Sequence, residues 1–180
     1  EAVGADRVYV IREGELAFSG TPRELYADRD LLLACGLELP RAAEIARKLN
    51  EQGVPVGKGI LTTEELTEKL CESPCDAVKE AVLAAWDKAG ASGRKYFAEI
   101  LSCMPADGRV TKILSDEFTA HAGDRSLYAD YLARYGDESV LPLLIEAAKD
   151  PSVSYNDFKE IRFAIESLGG ECPVSYKKSR

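Results

Sequence analysis

From residue 74 to residue 170 the apolar side chains recur at spacings of three and four, in six stretches separated by short polar links with Gly, Asp or Pro. That rhythm lines one face of an α-helix and does not fit the strict alternation of a half-buried strand. The stretches are 74–89, 93–104, 108–122, 125–136, 138–150 and 154–170. Their apolar stripes include Val78, Val82 and Trp86, then Ile100 and Leu101, then Leu114 and Phe118, then Tyr131 and Leu132. In the last stretch Phe158, Ile161, Ile165 and Leu168 share a face, which is expected to meet Leu141 and Leu144 of the helix before it. A helix pair with one apolar face cannot bury it alone, so stacked pairs are expected.

The first 70 residues read differently. "RVYVI" and "LAF" alternate as two strands, with Gly14 expected in the left-handed conformation of a type I turn with a bulge. "GTPREL" then starts a helix, with Thr21 as N-cap, Pro22 at the first position and Glu24 three after the cap. Further helices are expected in "DRDLLLACG", in "LPRAAEIARKLNEQG" with Ala43, Ile45, Ala46 and Leu49 on one side, and in "ILTTEELTEKLC" behind Thr62 or Thr63. "VPVGKG" is a loop. Ser73 is expected to cap the next helix, with Pro74 in its first turn, and "VSYKKSR" reads as a frayed tail. The fold class is therefore mostly α, with a short N-terminal β-hairpin and a stack of α-hairpins behind it. The change of character at residues 71–75 marks a boundary between domains 1–71 and 72–180.

Charge and cysteine content exclude several functions. The formal net charge is −8, which argues against a partner tracked through its phosphates, so no nucleic acid is expected. The longest apolar run, "LLLACG", is far short of the roughly 18 residues that cross a bilayer. Cys35, Cys71, Cys75, Cys103 and Cys172 are odd in number and irregular in spacing, so reduced thiols are expected in preference to a disulfide framework. Cys71 and Cys75 are four apart, but Pro74 lies between them and the single histidine, His121, is distant, so no metal site is expected. The acids of "DEF", "DES" and "YNDF" read as solvated helix faces. Ser92, Ser102 and Ser115 lack a nucleophile-elbow context. Tyr96, Tyr128, Tyr131 and Tyr135 read as core and rim packing, and Trp86 as a core anchor. No catalytic, cofactor-binding or metal-ligating residue is assigned.

Residues 5–26, "ADRVYVIREGELAFSGTPRELY", resemble the C-terminal end of an ABC-type ATPase, where such a hairpin leads to Gly-Thr-Pro and a short helix. "GLELP" followed by a helix, and then "GILTTEEL", narrow the resemblance to ATPase subunits of energy-coupling factor transporters, which import vitamins and transition-metal ions. The resemblance covers about the first 70 residues. It implies a cytoplasmic protein, peripheral at the inner face of the cell membrane, with a second ATPase subunit and a transmembrane component as partners. It also implies that the phosphate loop, catalytic Glu and switch His precede Glu1, together with the ATP and Mg they hold. No G-x-x-x-x-G-K-[ST] occurs in the chain, and "GVPVGKG" has neither the following Ser or Thr nor a leading strand.

The remainder resembles HEAT-like helical repeats, best over residues 136–170. Leu141 and Pro142, the Asp150-Pro151 turn, and Ile161, Arg162, Ala164, Leu168 and Gly169 carry the likeness. It implies a protein-binding surface and suggests that Arg162 reaches Asp150. The expected function is a fragment of an energy-coupling transporter ATPase joined to a helical-repeat interaction domain. The alternative is a non-catalytic HEAT-like module whose N-terminal segment is a remnant or a fusion artefact.

Overall fold

A computed structural model describes residues 2–176, and residues 177–180 of the expected tail lie outside the described residues. The chain divides into two compact units at Ser73 and Pro74.

The first unit begins with an antiparallel hairpin, β1 (Val8–Arg12) and β2 (Glu15–Gly20). The turn differs from the expected type I turn with its bulge at Gly14. Both Glu13 (φ 54°) and Gly14 (φ 87°) are left-handed, as a two-residue type I′ turn requires, and this turn matches the right-handed twist of the strands. The irregularity lies deeper: Val10 pairs with Phe18 but Ile11 with Leu16, which leaves Ala17 as the extra residue. Val8, Phe18, Tyr26, Leu31, Cys35 and Leu39 close a small core around Val10, Leu25 and Leu32.

Four helices follow: α1 (Pro22–Ala27), α2 (Arg29–Ala34), α3 (Arg41–Glu51) and α4 (Thr63–Glu72). The N-cap chemistry read from the sequence is present at α1, where the Glu24 carboxylate accepts the Thr21 amide at 2.7 Å and Thr21 Oγ1 accepts the Glu24 amide. Thr62 and Glu65 form the same reciprocal cap on α4. On α3 the buried residues are Ala42 and Ala46, whereas Ile45, expected on the core side, is 48% exposed. Periodicity identifies an apolar face but not whether the fold supplies something to cover it.

In the second unit α5 (Asp76–Ala85) starts from Cys75, not from Ser73. Ser73 instead terminates α4 and the extended Cys75 stands at the start of α5, so Pro74 lies in the link between the two helices and not in a first turn. A 3-10 turn at Trp86–Lys88 ends this helix. Then come α6 (Ala91–Ser102), α7 (Gly108–Ala120), α8 (Arg125–Tyr135), α9 (Leu141–Lys149) and α10 (Tyr155–Ser167). The helix α8 packs against α6, α7 and α10, and α10 also packs against α9. Leu101, Leu114, Tyr128, Leu132, Leu144, Ile161 and Ile165 form the closed interior of this stack. Gly169 turns the chain out of α10 with a left-handed φ of 77°. The described end of the tail is not frayed: the Tyr176 ring lies 5.2 Å from that of Tyr155 and 5.5 Å from that of Phe158.

Candidate functional site

In the first unit, the segment between α3 and α4 shapes a cleft. Asn50 ties it down, donating to the Gly57 carbonyl at 2.7 Å and accepting the Val56 amide at 3.2 Å. Val54 and Val56 are buried beneath it. Gly57 and Gly59 have φ values of 82° and 78°, so the chain can bend on both sides of Lys58. The far side is fixed by Arg23, which donates to the Gly59 carbonyl and to the Glu65 carboxylate. The Leu61 amide, at 2.8 Å, is the main cause that holds the Glu65 carboxyl below its usual range, and Arg23 adds to it. The resulting cleft has a volume of about 730 Å³ and a mostly apolar lining, with Tyr26, Leu39, Ala43 and Ile60 among its walls. "GVPVGKG" is thus a clasped loop led into by a helix, and sequence reasoning did not single out Asn50, whose role has no local signature.

Tyr9, Ile11 and Leu16 on the hairpin, and Leu33 and Ile45 on the helices, are large apolar side chains left exposed in this unit. Ile11 and Leu16 are directly cross-strand and 71% and 62% exposed. Scattered apolar exposure is ordinary, but a cross-strand apolar pair on a two-stranded sheet is an uncovered surface.

In the second unit charged residues tie the helices to one another, including helices that are not neighbours in sequence. Arg109 of α7 pairs with Glu80 of α5 at 2.5 Å and with Asp107 at 2.6 Å. Hydrogen bonds from the Arg109 side chain and amide hold the Asp107 carboxyl far below its usual range. Lys79, a buried lysine, lies 2.8 Å from Asp76 and 3.6 Å from Asp107. Thr111 donates to Asp137 at 2.5 Å, and the Ser126 amide to Asp157 at 3.2 Å. The expected link from Arg162 to Asp150 is absent: Arg162 bonds Glu166 at 2.7 Å, one turn along its own helix. Asp150 instead receives Arg125 at 3.0 Å. Spacing within one repeat could not reveal a partner on α8.

Asp116 is exposed and paired with Lys112, as a solvated face should be, but its neighbour Glu117 is buried. Glu117 accepts the Tyr128 hydroxyl at 3.2 Å and lies 3.2 Å from His121 and 3.7 Å from Arg94. Burial, and then the charge of Glu117, push the Tyr128 phenol well up, so it is a donor to the carboxylate and not a base. Ser102 Oγ donates to the Glu99 carbonyl at 2.7 Å. Tyr128 and Tyr131 are buried and meet edge to face at 5.9 Å, while Tyr135 bonds the backbone of Asp107. Trp86 is buried beside Phe97, with the Arg94 guanidinium 5.6 Å from the centre of its ring. Among the described residues no three His, Cys, Asp or Glu side chains gather as a metal site.

With this geometry in place, the sequence comparisons separate the two units. The N-terminal two-fifths of the chain is a segment like that of the ATP-binding subunits of energy-coupling factor transporters. The energy-coupling factor transporter ATP-binding protein EcfA1 of Symbiobacterium thermophilum is 50% identical over 72 residues, 40% of this chain and 25% of that protein. Proteins of the same name are 43% identical over 70 residues in Geobacillus kaustophilus (39% of this chain, 25% of that protein) and 38% over 71 in Caldanaerobacter subterraneus (39% and 26%). The chain thus spans about a quarter of the length of the curated relatives it matches. No family model and no solved structure matches it. Among the described residues no helix is long and apolar enough to cross a membrane.

Proposed function

We propose that residues 1–71 are the C-terminal end of the ATPase subunit of an energy-coupling transporter for vitamins or metal ions. Residues 72–180 are then a HEAT-like repeat domain joined to it. The observation that carries this reading is the 50% identity over 72 residues with a transporter ATP-binding protein. In this reading ATP and Mg bind to sequence upstream of Glu1, and residues 1–180 hold neither. The uncovered side chains Tyr9, Ile11, Leu16 and Ile45 supply surface for the rest of the subunit and for a second ATPase subunit. A transmembrane component then anchors the assembly at the cytoplasmic face of the membrane. The helical domain binds a protein through the outer surface of its stack, as helical repeats do.

A segment exchange tests this. Residues 1–72 of this chain replace the matching segment of the Symbiobacterium relative. The chimera is expected to assemble with that relative's partners and to hydrolyse ATP at a rate near that of its parent. A folded chimera that neither assembles nor hydrolyses ATP would contradict the reading. A second reading, a non-catalytic interaction module with the hairpin as a remnant, is favoured by the compactness of the second unit on its own.

A further inference from the structure

The cleft of the first unit combines an apolar trough with a single unanswered charge. Its volume of about 730 Å³ is within the range of small-ligand sites. Ala43, Ala46, Leu39, Ile60 and Leu61 make the trough. Three cations stand on its rim, in a chain whose formal charge is −8. Two of them are neutralised, Arg23 by Glu65 and Arg47 by Glu51 at 2.6 Å. Lys58 is exposed and makes no ion pair among the described residues. The Tyr26 side chain also lines the cleft and its hydroxyl makes no hydrogen bond among the described residues. The rim is built in advance, because Asn50 holds Gly57 and Val56 on one flank of Lys58 and Arg23 holds Gly59 on the other. A preformed site loses less ordering free energy on binding.

We propose that this cleft binds an amphiphilic mono-anion, a carboxylate on an aliphatic body, with the chain along Ala43 and Ala46 and the head at Lys58. One uncompensated cation answers one negative charge. A triphosphate would bring further charges against Glu51 and Glu65 with no free cation to meet them. A cationic amphiphile would fill the same trough but be repelled by Lys58. The Tyr26 hydroxyl supplies a second donor to the carboxylate. The proposal uses only the fold of residues 23–61 and stands or falls apart from the transporter reading.

Isothermal titration of the whole 180-residue chain with decanoate, below its micelle concentration, is the test. Decyltrimethylammonium, which has the same tail and the opposite charge, is the control. Saturable one-to-one decanoate binding at about 10–100 µM is expected. Lys58→Glu, a surface change that leaves the fold intact, should weaken decanoate about tenfold by turning one attraction into a repulsion. Amide chemical shifts should move on the α3–α4 segment and α3. The proposal is overturned if decanoate shows no saturable binding up to about 1 mM. It is equally overturned if Lys58→Glu keeps the parent affinity, if decyltrimethylammonium binds as tightly, or if the shifts lie in the second unit.

Discussion

Replacing Ile165 with Ala probes the helical stack at a fully enclosed point. Ile165 has no exposed surface on α10. The change removes three buried carbon groups, at about 0.8 kcal/mol each, or about 2.4 kcal/mol of transfer free energy. The space they leave, at about 24 cal/mol per Å³ and with partial collapse of the surroundings, adds roughly 1 kcal/mol. Alanine's better helix propensity returns about 0.4 kcal/mol. The expected loss is therefore about 3 kcal/mol, read from the midpoint and slope of urea unfolding monitored by circular dichroism. Gly170 offers a check on the same packing. A Cβ there would stand 2.7 Å from Leu141 Cδ2, 3.0 Å from Ile165 Cγ2 and 3.2 Å from the Ile165 carbonyl. Gly170→Ala alone should cost about 1–3 kcal/mol by overpacking, and less in the Ile165→Ala background, where one of those contacts is gone. An Ile165→Ala variant as stable as its parent would refute the helix register, and with it the stack as described.

Arg162→Ala should cost under about 0.5 kcal/mol, since its partner is an exposed Glu166, whereas a double-mutant cycle should show coupling between Arg125 and Asp150. The Ser152 hydroxyl and amide, and then Arg125, hold the Asp150 carboxyl at about 2. A depressed carboxylate stabilises the fold above its unfolded pKa and loses that contribution as pH falls through the folded value. Stability should therefore drop between about pH 4 and pH 2, and Asp150→Asn should flatten that part of the acid titration. Thr67 is buried with a hydroxyl that has no hydrogen-bond partner, so Thr67→Val should raise stability by about 1 kcal/mol in thermal unfolding. Titration of this chain with Mg-ATP should give no heat of binding, and micromolar binding would refute the placement of the nucleotide chemistry upstream.

The elements were legible in the sequence where local chemistry decides them. Thr21 with Pro22 and Glu24 satisfies helix-start amides within three residues, so its role is written locally, whereas the choice between Thr62 and Thr63 on α4 is settled by the reciprocal bonds of Thr62 with Glu65. The stripe of Phe158, Ile161 and Ile165 was legible for a similar reason, because one helix face must be buried to form a stack at all. What failed depended on distant parts of the chain. Ile45 lies on an apolar face that the unit leaves open, and Asp150 chose Arg125 on α8 over Arg162. Glu117 looked solvated beside Asp116, yet Tyr128, eleven positions on, receives it in the interior. The cleft was invisible because Asn50 makes it by reaching seven residues ahead to Gly57. The Ser73 cap failed although Pro74 is as compatible with a cap before it as Pro22 is with Thr21; the helix begins two residues later, at Asp76.

The central claim is that the first unit is the end of a transporter ATPase whose nucleotide site lies upstream, and the coding sequence before Glu1 tests it most directly. The account predicts an open reading frame continuing upstream, carrying a G-x-x-x-x-G-K-[ST] phosphate loop, a Leu-Ser-Gly-Gly-type signature and a histidine a few residues before Glu1. A start codon at or just before Glu1 would contradict it.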